Sequence, residues 1–185
     1  MKPGEEQYTA FIEEKQIAAG TLREMVPELK RRFEEDRGTM FLIFEDESGR
    51  QVDFDLRGTL EEILDRTAAQ PAKPGPGRPR LGVRAREVTL LPRHWKWLED
   101  QRGGASAAIR RLIDEAREDE PEELRKQRAT HAAGRFLSAM AGNYPGYEEA
   151  TRALYAGDEG RFAKLISAWP EDIHGYALHL WKRGA

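Results

Sequence analysis

Apolar and polar positions alternate on three different scales along the chain, and the first scale covers short elements between Tyr8 and Ala68. The stretch YTAFIEEKQIAAG predicts a strand pair, or a strand and its return. In TLREMVPELKRRF, Leu22, Val26, Leu29 and Phe33 lie on one helical stripe, with Thr21 and Glu24 spaced as a capping box. Pro27 falls beyond the first turn of that stripe, where a proline removes a hydrogen bond and kinks the helix or moves its start. MFLIFEDESGRQVDFDL predicts a hairpin, because Val52, Phe54 and Leu56 alternate with polar residues after the turn signal Glu47-Ser48-Gly49-Arg50. A short helix follows, with Thr59 and Glu62 as a second capping-box pair ahead of Leu60, Ile63 and Leu64.

The pattern stops at AAQPAKPGPGRP, where four prolines and two glycines in twelve residues predict an extended linker. Beyond it, AREVTLL has the β-prone character of a short strand, and Pro92 stands where a helix starts. Leu91, Trp95 and Leu98 then recur at helical spacing, RGGA supplies a turn, and SAAIRRLIDEA predicts a second helix. That helix has Ser106 at or near its N-cap and Ile109, Leu112, Ile113 and Ala116 on its apolar face. EDEPEELRKQRA is a charged helical or linker stretch. The remainder predicts a small helical bundle: HAAGRFLSAMAG to Gly142, a turn at Asn143 to Gly146, YEEATRALYAG, then EGRFAKLISAW with Phe162, Leu165, Ile166 and Trp169 on one face. Pro170 suits the first turn of a last helix ending near Lys182.

Composition favours modules over one large buried core. Across 185 residues, 39% are hydrophobic, 34% charged and 9% aromatic, which leaves limited core material to share out. The expected organisation is α+β: an N-terminal α/β module with a β-hairpin at 1–69, a linker at 70–82, a strand-helix-helix unit at 83–120 and a C-terminal helical module at 121–185. No cysteine occurs, which excludes disulfides, thiolate metal sites and a cysteine nucleophile. The opening MKPGEEQYTAFIEE has no apolar run of signal-peptide length, and nothing elsewhere approaches the roughly 18 unbroken apolar residues of a membrane span. A cytoplasmic protein with no membrane partner is expected.

The net charge of −3 conceals an asymmetry. From Pro71 to Arg111 ten basic residues stand against three acidic ones, so that segment carries +7 and the remainder −10. The field that matters is therefore local. Within the basic segment, GRPR at Gly77 to Arg80 resembles the core of an AT-hook, in which proline keeps the backbone extended so that Arg78 and Arg80 lie along a narrow minor groove. The strand, helix, glycine turn and helix that follow resemble the ribbon-helix-helix DNA-binding family, whose dimer pairs two strands into a ribbon that enters the major groove.

That resemblance implies double-stranded DNA, A·T-rich where the arm binds, as the partner of a homodimer. Arg84, Arg86 and Thr89 are its candidate readers in the major groove, and Arg93, Arg102 and the turn from Gly104 to Ser106 its candidate phosphate contacts. Val88, Leu90, Trp95, Leu98, Ile109, Leu112 and Ile113 are the candidate dimer interface, because a lone unit of this size cannot bury its apolar faces or pair its strand edge. Strand alternation is blurred: Val88 and Leu90 share one face, and Glu87, Thr89 and Leu91 the other. Glu87 would repel phosphate or accept from a cytosine amine. Trp97 lies on a different side from Trp95, as a dimer or interdomain contact. The alternative is a strand-helix-helix used only for dimerisation, in a non-enzymatic scaffold whose basic arm docks acidic modules.

On a wider scale, TAF near the start, GRQVDFDLRG, the segment from GRPRLGVRAREV to LIDEAR, and the tail FLSAMAGNYPGYEEATRALYAGDEGRFAKLISAWPEDI are similar, in the same order, to a bacterial domain-of-unknown-function family, number 2239. The resemblance implies boundaries but no reaction.

Catalytic patterns are not found. His94, His131, His174 and His179 are scattered, and the five-residue spacing of His174 and His179 does not stack them as metal ligands. Asp53 and Asp55 alternate with an apolar hairpin face and are expected in solvent. With neither a phosphate loop nor a nucleophile elbow, the expected function is non-enzymatic, without cofactor or metal: a dimeric transcriptional regulator or nucleoid-associated factor.

Overall fold

In the computed structural model, residues 6–67 and 87–184 are described. The linker and its GRPR motif lie outside them. The chain forms two compact units, one from residues 1–70 together with 122–185, the other from 71–121.

The first unit is built on a four-stranded antiparallel sheet of order β2-β1-β3-β4, from β1 (Gln7–Ile12), β2 (Lys15–Thr21), β3 (Leu42–Glu45) and β4 (Gln51–Val52). β1 and β3 are the inner pair, with Ala10 opposite Ile43 and Thr9 opposite Phe44. Their sequences read as nearly continuous apolar runs because both faces are covered. On one face Tyr8, Ala10 and Ile43 pack against α1 (Leu22–Glu35) and α2 (Leu60–Thr67) through Met25, Val26, Leu29 and Ile63. On the other, Phe11 and Phe44 enter a larger core made by the helices at the end of the chain.

Local signals place α1 and α2 as expected. The Glu24 carboxylate accepts from the backbone N–H and the hydroxyl of Thr21, both at 2.8 Å. At α2, Thr59 N donates to Glu62 Oε2 at 2.7 Å and Glu62 N to Thr59 Oγ1 at 3.2 Å. Those bonds to Thr21 and Thr59 lower the pKa of Glu24 and Glu62, as a carboxylate that accepts backbone N–H groups requires. α1 runs unbroken through Pro27. β4 is shorter than the alternating pattern suggests: pairing stops at Val52, although Phe54 and Leu56 continue into the core, and Asp55 turns the chain by accepting from Arg57 N. Asp53 and Asp55 are exposed.

α5 (Glu122–Met140), α6 (Tyr147–Tyr155), α7 (Glu159–Ile166) and α8 (Glu171–Lys182) complete this unit. The charged stretch after Pro121 is the start of α5, whose inner face is mostly small (Ala129, Ala132, Ala133) ahead of Phe136 and Leu137. Phe136 rings lie 5.5, 5.0 and 4.7 Å from those of Phe11, Phe44 and Tyr176. Residues from both ends of the chain thus share one aromatic core.

The hairpin turn between β3 and β4 docks on α5. Gly49 has φ 66°, and a Cβ there would meet the carbonyl oxygen of Ala132 at 2.0 Å. Arg135 Nη1 donates to Ser48 O at 2.7 Å beside it. Gly49→Ala combines a left-handed backbone with an overlap that only backbone movement relieves, and is expected to cost about 3 kcal/mol in a urea titration.

The second unit holds α3 (Pro92–Glu99) and α4 (Gly104–Glu118). Pro92 is the first residue of α3, where its missing N–H costs nothing. The short strand expected at AREVTLL does not form in its described part: residues 87–91 belong to no strand, and Leu91, which precedes α3, has an extended backbone. α4 starts earlier than the position of Ser106 suggests: Gly103 and Gly104, with φ 88° and 77°, make the turn, so Gly103 is the N-cap and Ser106 lies in the first turn.

Candidate functional site

In the unit of residues 71–121, only Leu98 and Ala108 are buried among the described residues. α3 and α4 enclose an open groove of about 430 Å³, whose walls include Leu90, Trp97 and Leu98 on one side and Ile109, Leu112 and Ile113 on the other. Leu112 and Ile113 are 41% and 51% exposed, and with their neighbours they make the groove a contiguous apolar surface rather than scattered single side chains.

Of the residues put forward for a dimer interface, Leu90, Leu98, Ile109, Leu112 and Ile113 line this groove. Val88 and Trp95 are exposed and lie off it, while Trp97 and His94 line it. The helical stripe on the groove is thus His94, Trp97 and Leu98, with Leu90 just ahead of the helix, rotated from the Leu91, Trp95, Leu98 spacing. Two stripes share Leu98, and sequence spacing alone does not choose between them.

Of the residues put forward for DNA, Thr89, Arg93, Arg102 and Ser106 are exposed and Gly104 is half-buried in the turn. Arg78, Arg80, Arg84 and Arg86 lie outside the described residues.

Sequence reasoning missed a polar cluster in the first unit. Asp46 directly follows β3, and its side chain is nine-tenths buried. Its N–H donates to Gln7 O at 2.9 Å, which continues the β1–β3 ladder and fixes the residue in place. Thr9 Oγ1 and Tyr176 Oη both donate to Asp46 Oδ1, at 2.9 and 2.8 Å. His179 Nε2 stands 3.9 Å from Oδ2. Burial, then the Asp46 charge and the bond donated to it, push the Tyr176 hydroxyl well above the usual tyrosine range. Tyr176 is therefore a fixed donor rather than a base. Thr9 and Asp46 are 37 positions apart, and Tyr176 and Asp46 are 130 apart. The one local hint was the helical spacing of Tyr176 and His179.

Among the described residues, no group of three or more His, Cys, Asp or Glu side chains is placed to hold a metal ion. None of their helices is long and apolar enough to cross a membrane.

Residues 7–181 match the model of a family described as "Uncharacterized protein conserved in bacteria (DUF2239)". The chain belongs to this family. The match runs from β1 to the end of α8, so this DUF2239 protein carries the sheet, the central unit and the terminal helices within one family frame. No curated protein and no solved structure matches it.

Proposed function

We propose that this DUF2239 protein is a dimeric DNA-binding regulator or nucleoid-associated factor, in which the central unit is a ribbon-helix-helix-like module preceded by a minor-groove arm. The apolar groove between α3 and α4 carries the proposal: a unit that buries little of its own apolar surface gains most by pairing with a second copy. Pairing would let the two 87–91 segments, which form no strand in the single chain, order as a ribbon and satisfy backbone groups that one chain leaves without a strand partner.

Charge supports the same reading. The +7 segment from Pro71 to Arg111 supplies phosphate contacts, and the −10 remainder repels nonspecific duplex, so DNA is confined to the central stripe. Arg78 and Arg80 are assigned to the minor groove; Arg84, Arg86 and Thr89 to base edges; Arg93, Arg102 and the Gly104–Ser106 turn to phosphates. The same groove would serve a scaffold that only dimerises; in that case the arginines would have no role in DNA affinity.

Arg78→Ala combined with Arg80→Ala tests the arm. Removal of two groove-bound cations that displace counterions from the duplex should lower the slope of log affinity against log salt by about 2. Affinity should fall more on A·T-rich than on G·C-rich duplex, because the narrow A·T groove concentrates negative potential. Equal losses on the two duplexes in fluorescence anisotropy would remove the minor-groove role.

A further inference from the structure

We propose that the cavity beside Asp46 is a binding site for a small organic cation, a primary ammonium or a guanidinium group. The cavity, about 450 Å³, lies between the exposed end of the sheet and α8, within the unit formed by the two ends of the chain. Its volume falls in the range of small-molecule sites.

The wall is built around one carboxylate with two unlike oxygens. Oδ1 is saturated by the hydroxyls of Thr9 and Tyr176, which hold the carboxylate in a single orientation. Oδ2 accepts no hydrogen bond from the described residues, and the imidazole of His179, half-exposed, stands 3.9 Å away, beyond hydrogen-bond reach. A carboxylate oxygen fixed in orientation, buried on its protein side and open on its cavity side is a charge-assisted acceptor waiting for a donor. An anionic ligand would meet repulsion there, and an apolar one would strip water from Oδ2 without replacing it.

The surroundings favour positive charge. Asp172, one turn before Tyr176 on α8, accepts from Gln16 N at 2.9 Å and adds a second carboxylate on the β2 side. Gln16 contributes an amide to the wall, able to donate or accept along the body of a ligand. Arg183 is the opposing cation; its field reaches Tyr176, but the residue is exposed and water screens it.

Gly175 leaves room on the α8 side of the cavity. It sits inside α8, where glycine is a poor helix former, yet a Cβ there would meet nothing within 4 Å. Neither close packing nor a positive φ requires glycine at this position. Gly175 lines the cavity.

The test uses the full chain, with n-butylammonium and methylguanidinium as probes, n-butanol and butyrate as controls, and backbone amide NMR shifts as the readout. Saturable shifts of Thr9, Asp46 and the Gly175–His179 turn are expected with at least one cation, at about millimolar Kd for so small a probe, and with neither control. The response to each cation shows which headgroup the site prefers. Asp46→Asn keeps an acceptor for Thr9 and Tyr176 but removes the charge, and should weaken binding about tenfold or more. Gly175→Leu, which leaves the cluster intact and adds bulk to the cavity wall, should abolish the shifts while the protein remains folded. Shifts that fail to saturate with both cations, equal shifts with butanol, or binding unchanged in either folded variant would overturn the proposal.

Discussion

Phe136→Ala is expected to destabilise the protein by about 3 to 5 kcal/mol, the usual cost of emptying a fully buried phenylalanine site. The ring sits on α5 and touches aromatic rings from β1, β3 and α8, so three elements lose a partner at once. A loss of that size is a large part of the net stability of an ordinary domain. Because Phe11 and Phe44 belong to the same core as Phe136, the N-terminal sheet and the C-terminal helices should unfold in one transition. A urea titration in a Trp95→Phe, Trp97→Phe background, followed by far-UV circular dichroism and by tryptophan fluorescence, checks this: Trp169 and Trp181 then report the C-terminal helices, and the dichroism the whole chain. Coincident midpoints, both shifted downward in the variant, are expected; a sheet signal that survives the loss of the helical one would show that the first seventy residues hold their own core.

Ile113→Glu carries the second large effect, and it acts between chains rather than within one. Ile113 is half-exposed in the single chain, so the charge costs little there. In a two-fold dimer closed over the groove, the change enters twice, and each carboxylate is buried without a partner. Breaking an interface in this way costs about 3 kcal/mol or more, equivalent to roughly a hundredfold or more in the dimer dissociation constant. Light scattering should give the 21.1 kDa mass of one chain for the variant and twice that for the parent. DNA affinity should fall with the loss of the dimer, since a single strand cannot form a ribbon.

What was legible in the sequence was what neighbouring residues decide among themselves. Thr21 with Glu24 and Thr59 with Glu62 announced two helix starts, because a capping box is a contact across three positions. The hairpin turn at Glu47–Arg50 was readable for the same reason, although the sequence could not show that Gly49 is pressed against the Ala132 carbonyl. The start of α5 was obscured because alanines carry its inner face, and alanine contributes weakly to any apolar stripe. In α3 the competing Trp95 and Trp97 stripes could be separated only by the position of α4.

The joining of the two ends was not legible. The apolar runs YTAF and FLIF indicate strands, and only the fold shows that their second face is covered by the distant helices that begin at Glu122. Asp46 illustrates the same limit at the level of a site. Next to Glu45 and Glu47 it reads as one of several surface acids, yet Thr9 and Tyr176 make it a buried hub.

The DNA-binding proposal is tested most directly by fluorescence-anisotropy titration of labelled A·T-rich and G·C-rich duplexes with the intact protein at low and near-physiological salt, with light scattering on the same sample. A dimer that binds at low salt, weakens steeply as salt rises and prefers A·T-rich duplex is the expected result. A clean dimer that binds neither duplex at low salt would contradict DNA binding and leave the groove as the interface of a scaffold.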